Sequence, residues 1–573
     1  MSATQPRRRP TDQQPADAPE HTGEYTHRQI LTIITGLMMG MFLGALDQTI
    51  VSTAIRTIAD DLHGLSIQAW VTTAYLITST IATPIYGKLG DLYGRKKLFM
   101  FAISVFIAGS ALCSFATSMY MLAAFRAVQG IGAGGLFTLV LAIIGDIVSP
   151  RERARYTGYF MATFGTSSVL GPVIGGFFAS HAVILGLTGW RWVFLVNVPI
   201  GIAALFVVYR TLHVHHVRRE ARIDWWGAVT LVVTLVPLLT VLEQGRDWGW
   251  ASGRSTACFV IAAVGMVGFV LVETRMHDAA LIPLRMFRVR SISVGIIASL
   301  LVGMAMFGGI MILPLYMQIV HGATPMESGF LMLPMVVGMM SASIISGQVI
   351  SRTGHIRGFP IFGSGLAALA LLLLSRISAD TDLVLVMGVM LVLGYGLGNC
   401  MQPLLLILQS SVPPRDIGVA TASATFFRQI GGTIGVAVFI TLLFATVGGN
   451  IHSAVADQSQ DPGFRAAVAR AAASHDPVER GVGQSILHPS NHGAVAAVQD
   501  DSSFIQRLDA TLAHPFKQGF AVSMDGVFLV AGLLMLVGFL VLWLMPHVEL
   551  RATSAAAAVR SEAAPTAPVT DQV

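Results

Sequence analysis

Charge is the scarcest ingredient of this sequence. Only 12% of its 573 residues are Asp, Glu, Lys or Arg, about half the ~25% usual for a water-soluble globular chain. That scarcity speaks against a compact soluble fold and against a disordered chain, both of which need more charge per apolar residue. The net charge of +5 and pI of about 9.2 do not make a nucleic-acid binder either. They come from charges scattered among long apolar runs, which leave no phosphate-binding face. Cysteine is nearly absent: Cys113, Cys258 and Cys400 each sit inside an apolar run, as small buried hydrophobes rather than disulfide partners or metal ligands. No Gly-x-x-x-x-Gly-Lys-Ser/Thr stretch offers an ATP loop, no His-Glu-x-x-His offers a catalytic metal site, and no channel-filter sequence occurs. The trio His213, His215 and His216 reads as a solvated linker. Neither an enzyme, a metal site nor a bound cofactor is expected.

What the chain has in abundance is apolar length. Hydrophobic residues make up 54% and the mean hydropathy is +0.69, so this is a polytopic membrane protein. A helical span needs about 20 apolar residues to cross a hydrocarbon core about 30 Å thick, and lipid leaves helix as the default for such runs. The runs predict fourteen helices, near 31–55, 69–90, 98–118, 120–145, 156–180 and 190–211, then 225–242 and 256–274, then 292–313, 327–350, 359–377, 383–409, 417–445 and 519–545. The polar residues 1–30, with Arg7, Arg8 and Arg9, hold no cleavable signal, and the first span is expected to act as a retained anchor. Most of the 36 Lys and Arg fall in segments that lie on one side when the N-terminus is inside. The positive-inside rule then places both termini in the cytoplasm. The tails 1–30 and 546–573 are expected to be disordered. The segment 446–518 is expected to be a long extracytoplasmic loop, partly helical, and a mobile cap in preference to a folded domain. Lysine is confined to Lys88, Lys96, Lys97 and Lys517, a codon-usage hint of a GC-rich bacterium and hence of a bacterial plasma membrane.

An internal repeat organises these spans. The loop Gly87-Lys88-Leu89-Gly90-Asp91-Leu92-Tyr93-Gly94-Arg95-Lys96-Lys97 follows the second span. Gly347 to Arg357 follows the tenth, with Gly87 aligning with Gly347, Gly94 with Gly354, and Asp91 replaced by Ser351. Corresponding loops in two six-helix sets are the mark of a parallel-repeat transporter. The chain therefore divides into a six-helix bundle at 31–211, two inserted helices with their linkers at 212–291, and a second six-helix bundle at 292–545. In the first loop glycine permits a tight turn, while Asp91 can pair with Arg95 or cap a neighbouring helix. The cluster either gates the two halves, as a bistable element does, or merely anchors them by charge.

Several stretches resemble the major facilitator superfamily, and in particular its fourteen-span drug:proton antiporter branch. Leu46-Asp47-Gln48-Thr49-Ile50-Val51-Ser52-Thr53-Ala54-Ile55 is similar to that branch's first-helix signature, although Arg56 stands where the family usually has Pro. Gly87 to Lys97 resembles the superfamily's cytoplasmic loop motif. Arg126-Ala127-Val128-Gln129-Gly130-Ile131-Gly132-Ala133-Gly134-Gly135 resembles its proton-linked motif. Gly165 followed by Gly171-Pro172-Val173-Ile174-Gly175-Gly176 resembles the antiporter motif, and Trp190 to Gly201 matches the start of the branch's sixth span. The resemblance implies an all-α fold of two six-helix bundles plus two inserted helices. It also implies a proton-coupled exporter of lipophilic, cationic drugs or toxic compounds that works by alternating access.

The residues expected to carry that chemistry follow. Asp47 lies about 24 Å along the first span, where an ionised carboxylate must face a cavity, hold its proton or find a cation. It is the leading candidate for proton or substrate coupling, the alternative being a polar residue that turns the helix toward its bundle. Arg126 either snorkels or, as the resemblance implies, relays protons; whether it pairs with Asp47 is open from sequence. Glu327 is a weaker coupling candidate. Gly87, Asp91, Gly94 and Arg95 form the gating loop. Gly165, Gly171, Pro172, Gly175 and Gly176 form a small-residue stripe that packs tightly and, by resemblance, seals the exporter. Arg428 reads as more structural than coupling, and Asp146, Glu152 and Asp525 as interfacial charges. Expected partners are protons, the lipid bilayer and a small lipophilic substrate, with no nucleic acid, the chain acting as a monomer. Two further readings stay open: a dedicated exporter of an endogenous lipid, siderophore or antibiotic, and, less favoured, a proton-coupled uptake symporter.

Overall fold

The computed structural model describes residues 27–63, 68–148, 150–212, 224–276, 280–413, 416–487 and 503–548. Residues 1–26 and 549–573, most of both expected tails, and the stretch holding His213, His215 and His216 lie outside the described residues. The first half is built from α1 (His27–Asp61), α2 (Gln68–Tyr93), α3 (Arg95–Ser114), α4 (Met119–Ile147) and α5 (Pro150–Ser180), closed by α6 (Trp192–Leu195) and α7 (Asn197–Thr211). The inserted pair is α8 (Trp225–Trp248) and α9 (Gly253–Met276). The second half comprises α10 (Arg290–Ile319), α11 (Pro325–Leu331), α12 (Leu333–Thr353), α13 (Gly358–Leu374), α14 (Leu383–Ser410), α15 (Ile417–Gln458) and, at the far end of the chain, α18 (Ala510–Trp543).

Among the described residues twelve helices or helix pairs are long and apolar enough to cross a membrane. The α2 and α13 helices complete the expected fourteen but fall short of that standard for different reasons. Thr72, Thr73, Thr78, Ser79, Thr80, Thr83, Lys88 and Asp91 dilute the hydropathy of α2, and α13 is apolar but short. Glycines set the packing within each half. A Cβ built at Gly134 would lie 2.8 Å from Ala82 Cβ, and one at Gly109 would lie 2.6 Å from Gln129 Cα. Such positions let helix backbones approach as closely as membrane interfaces require.

Three sequence expectations are corrected. Helices overrun the hydrocarbon span, because lipid length limits only the apolar part of a helix: α1 begins at His27 and runs to Asp61, and α15 continues to Gln458. The sixth span is broken at Val196, between α6 and α7, and the tenth at Met332, between α11 and α12. The expected mobile cap is instead packed structure in its described parts. Helices α16 (Pro462–Ala472) and α17 (Pro477–Leu487) bury Phe464, Ala467, Val468, Ala471 and Val482 in one cluster with Phe516 and Phe520 of α18. Those side chains recur at helical spacing and so give each cap helix an apolar face to dock. The described strands are a two-residue pair, Val183–Ile184 against Leu187–Thr188, joined through Leu185 and Gly186, both at positive φ.

The inserted pair has a defined seat. On α9, Ala262, Gly265, Phe269 and Glu273 are buried, while Val260, Val264, Val267 and Leu271 point outward at the same helical spacing. On the inner side, Leu231, Leu235 and Leu239 of α8 and Phe269 of α9 pack with Ile77 and Ile81 of α2 and with Phe426 of α15. The pair thus covers the line along which the first half, through α2, meets the second, through α15.

Candidate functional site

Asp47, on α1, is completely buried, and side chains from four other helices gather around it. Arg126 Nη1 on α4 donates to Asp47 Oδ2 at 2.6 Å. Gln129 Nε2, one helical turn further on, donates to Asp47 Oδ1 at 2.9 Å, and Asn197 Nδ2 at the start of α7 donates to the same oxygen at 2.8 Å. Ser110 Oγ on α3 accepts from both Gln129 (2.8 Å) and Asn197 (3.0 Å). Arg126 also donates to Gln129 Oε1 at 2.7 Å and lies with its guanidinium carbon 4.0 Å from the centre of the Tyr75 ring on α2. The carboxylate is charge-balanced and held by three donors, which is what lets an ionised pair persist away from water. The pairing that sequence left open is therefore present in the structure.

Sequence reasoning named Arg126 and Asp47 but missed what fixes them. Asn197 lay within the quoted Trp190–Gly201 stretch, and its signal was a carboxamide inside an apolar run; Ser110 and Tyr75 gave no local signal. The network still contains unsatisfied atoms: among the described residues, Arg126 Nε and Asn197 Oδ1 are buried without a hydrogen-bond partner.

A second cluster lies where the halves touch, at the end of the bundle that carries Arg95 to Lys97; we call it the basic end. Gly94, at φ 95°, occupies backbone space that L side chains avoid and so ends α2 and starts α3 in one step. Arg95 is then clamped: Nη2 meets Asp91 Oδ1 at 2.7 Å, Nε meets Asp146 Oδ2 at 3.0 Å, and Nη1 donates to Ala142 O. Asp146, expected to be an ordinary interfacial charge, is thereby part of the cluster. The other Asp91 oxygen accepts from Val419 N at 3.2 Å, across the interface. Val419 is in the first turn of α15, whose leading N–H groups have no partner within the helix, and a carboxylate there also answers the helix dipole. Gly87 lies against Ala422 Cβ and Gly418 O, so that even a methyl group would push α2 off α15. Further in, Thr83 Oγ1 of α2 donates to Gln429 Oε1 of α15 at 3.4 Å.

The antiporter-like stripe on α5 divides its work. Gly171 and Gly175 press on Thr49, Ile50 and Thr53 of α1, and Thr49 Oγ1 donates to Ser167 O at 3.1 Å. Gly165 faces the other half, where a Cβ would fall 2.5 Å from Val336 Cγ1 on α12. Pro172 stands beside Gly329 of α11, and Gly176 faces open space. Glu327 is not drawn into either cluster. It is exposed and forms a capping box with Thr324, its carboxylate accepting from Thr324 N at 2.8 Å. That role was readable as Thr-x-x-Glu ahead of an apolar run. Glu152 is exposed, and Asp525 is half-buried on α18 with Oδ1 unpaired.

Residues 37–436 match the Major Facilitator Superfamily profile, and the chain belongs to that superfamily. It is 38% identical over 427 residues to the multidrug transporter protein MdtP of Bacillus subtilis (strain 168), an alignment spanning 74% of this chain and 77% of that protein. It is 36% identical over 411 residues to multidrug resistance protein 3 of the same organism, across 72% of this chain and 79% of the other. The fold is similar to that of the proton:xylose symporter XylE bound to 6-bromo-6-deoxy-D-glucose, with a TM-score of 0.56 over 94% of this chain and 100% of that one, at 14% identity. The chain is a multi-pass membrane protein of the multidrug-exporter type, in a family of transporters rather than enzymes.

Proposed function

We propose that the protein is a secondary active exporter that moves lipophilic compounds outward against protons by alternating access, in a bacterial plasma membrane with both termini in the cytoplasm. The observation that carries this reading is the Asp47 site: a carboxylate wholly sealed from solvent and neutralised by Arg126 at 2.6 Å. Protonation of Asp47 would release Arg126, and deprotonation would recapture it, so a proton and the arrangement of α1 and α4 are tied to one switch. Asp91 and Gly87 hold the basic end shut through Val419 and Ala422, and opening that end requires Asp91 to leave the start of α15. The Gly171 and Gly175 contacts with α1 connect the antiporter-like stripe to the helix that bears Asp47. In this closed arrangement the cation that Asp47 holds is Arg126 itself, so a cationic cargo reaches Asp47 only after that pair has parted. The two named Bacillus relatives support drug-type cargo. No cofactor is needed beyond the proton gradient.

The experiment is ethidium efflux from energised cells lacking their own pumps, with wild type and Asp47→Asn at matched membrane expression. Gradient-dependent efflux that is lost in the variant supports coupling through Asp47. Efflux retained in the variant removes Asp47 from the mechanism, and a gradient-independent wild type removes proton coupling altogether.

A further inference from the structure

Arg428 is the second intramembrane arginine, and its surroundings differ from those of Arg126. It lies eleven residues past Ile417, about 16 Å along α15, near the middle of a hydrocarbon core about 30 Å thick. Its angular position on the helix is fixed by its neighbours. Gly431 and Gly435 press on Leu300 and Met304 of α10, and Gly303 of α10 lies against the Arg428 backbone itself. Gln429, a hundred degrees around an ideal helix, meets Thr83 of α2. Arg428 falls between those two flanks. Phe426, Phe427 and Ile430, on the opposite side of α15, pack toward the inserted pair. Gly432, which presses on Phe307, extends the α10 contact past Arg428, so Arg428 lies on the α10-facing side of α15, next to Gln429, which reaches across to the first half. The Arg428 side chain is half-buried, and its guanidinium makes no ion pair or hydrogen bond among the described residues.

A guanidinium at that depth without a counter-charge is costly and marks a functional position by default. In a parallel-repeat transporter the midplane between the halves is where cargo sits. A planar fork of N–H donors matches a carboxylate, sulfonate or phosphate in two-point geometry. We propose that Arg428 is a binding site for an acidic group on the cargo, so that the transported compounds include lipophilic acids and zwitterions as well as cations. The cargo's anion completes the charge balance of the second half, as Asp47 does in the first. This deepens the exporter reading and rests on it for the word cargo; the binding itself needs no gradient and is tested without one.

The test uses the full chain in nanodiscs of zwitterionic phosphatidylcholine, titrated with dansylglycine and with its neutral match dansylglycinamide, empty discs being subtracted. The two probes share fluorophore and size and differ by one carboxylate. Wild type is expected to bind the acid about tenfold or more tightly than the amide, a difference of about 1.4 kcal/mol. Arg428→Gln should bring the two affinities together by weakening only the acid. Equal binding of the two probes by wild type, or an unchanged preference in Arg428→Gln, overturns the proposal. If that variant does not fold, Arg428→Lys decides: a point charge without the fork should weaken the acid at least threefold and leave the amide unchanged, and an unchanged acid affinity overturns it. Discs containing anionic phosphatidylglycerol give the last arm. Loss of the acid preference there assigns the guanidinium to a lipid headgroup and overturns the cargo assignment, whereas its retention supports it. Because no proton gradient is involved, a failure of coupling at Asp47 would leave these outcomes readable.

Discussion

The two halves share a repeat but handle buried charge in opposite ways. In the first half Asp47 and Arg126 neutralise one another inside a cage of Gln129, Asn197 and Ser110. In the second half the Arg428 guanidinium has no such partner among the described residues. The corresponding loops differ in the same sense. Asp91 in the first loop reaches across the interface to Val419, while Ser351 at the matching place in the second only bonds Gln348 O of its own helix. A repeat supplies two similar frames, but the two carboxylates, Asp47 and Asp91, both belong to the first, one paired with Arg126 and the other reaching α15. Symmetry of backbone does not carry over to symmetry of function.

The comparison is broken hardest at its most buried pair. Arg126→Ala strands Asp47 as an unpaired buried charge and is expected to cost about 3–5 kcal/mol. Thermal unfolding in detergent measures this, and the double variant Arg126→Ala with Asp47→Asn should recover much of the loss. A recovery of nothing would show that Arg126 acts through Tyr75 packing and not through its charge. Gly87→Val comes next. The added side chain meets Ala422 and the Gly418 carbonyl, an overpacking worth about 1–3 kcal/mol against the closed state. Spin labels at the basic ends of α2 and α15 should report a longer separation, and an unmoved distance would deny that this contact closes the molecule.

Smaller effects sharpen the contrast. Asp91→Ala removes the acceptor for Val419 N and one counter-charge of Arg95 while leaving Asp146 in place, so a loss of about 1–3 kcal/mol for the charge-assisted bonds is expected. It should appear as faster amide exchange in the first turn of α15. Asn197→Ala deletes one of three donors to Asp47, with an expected loss of about 1 kcal/mol, read as a lower unfolding temperature in detergent. Ser351→Asp, which restores the repeat's carboxylate in the second loop, should change stability by less than about 0.5 kcal/mol. A large gain would mean that a helix start waits for it there.

Much of this was readable from sequence because it depends on local chemistry. Apolar length defined the spans, since hydrocarbon thickness is a fixed ruler. Gly94 could be placed at a turn because glycine takes a left-handed backbone without strain, and Asp47 and Arg126 stood out because charge inside an apolar run is rare. Glu327, near the outer end of its span, reads as a weak coupling candidate and more readily as an interfacial charge, and Thr324 three residues earlier encodes the cap it forms. The segment 446–518 read correctly as partly helical, but its helices find the partner for their apolar faces only in α18, which lies beyond them in the chain.

Composition and run length thus determined that this chain crosses a membrane many times in a repeated helical frame, because burial in lipid tests each segment separately. Which charges meet was decided only by the tertiary structure. Asp47 is 79 residues from Arg126 and 150 from Asn197, and Asp91 is 328 from Val419. No local rule relates such positions. Helix packing brings them within 3.2 Å or less, and the same packing leaves the Arg428 guanidinium without an ion pair or hydrogen bond among the described residues.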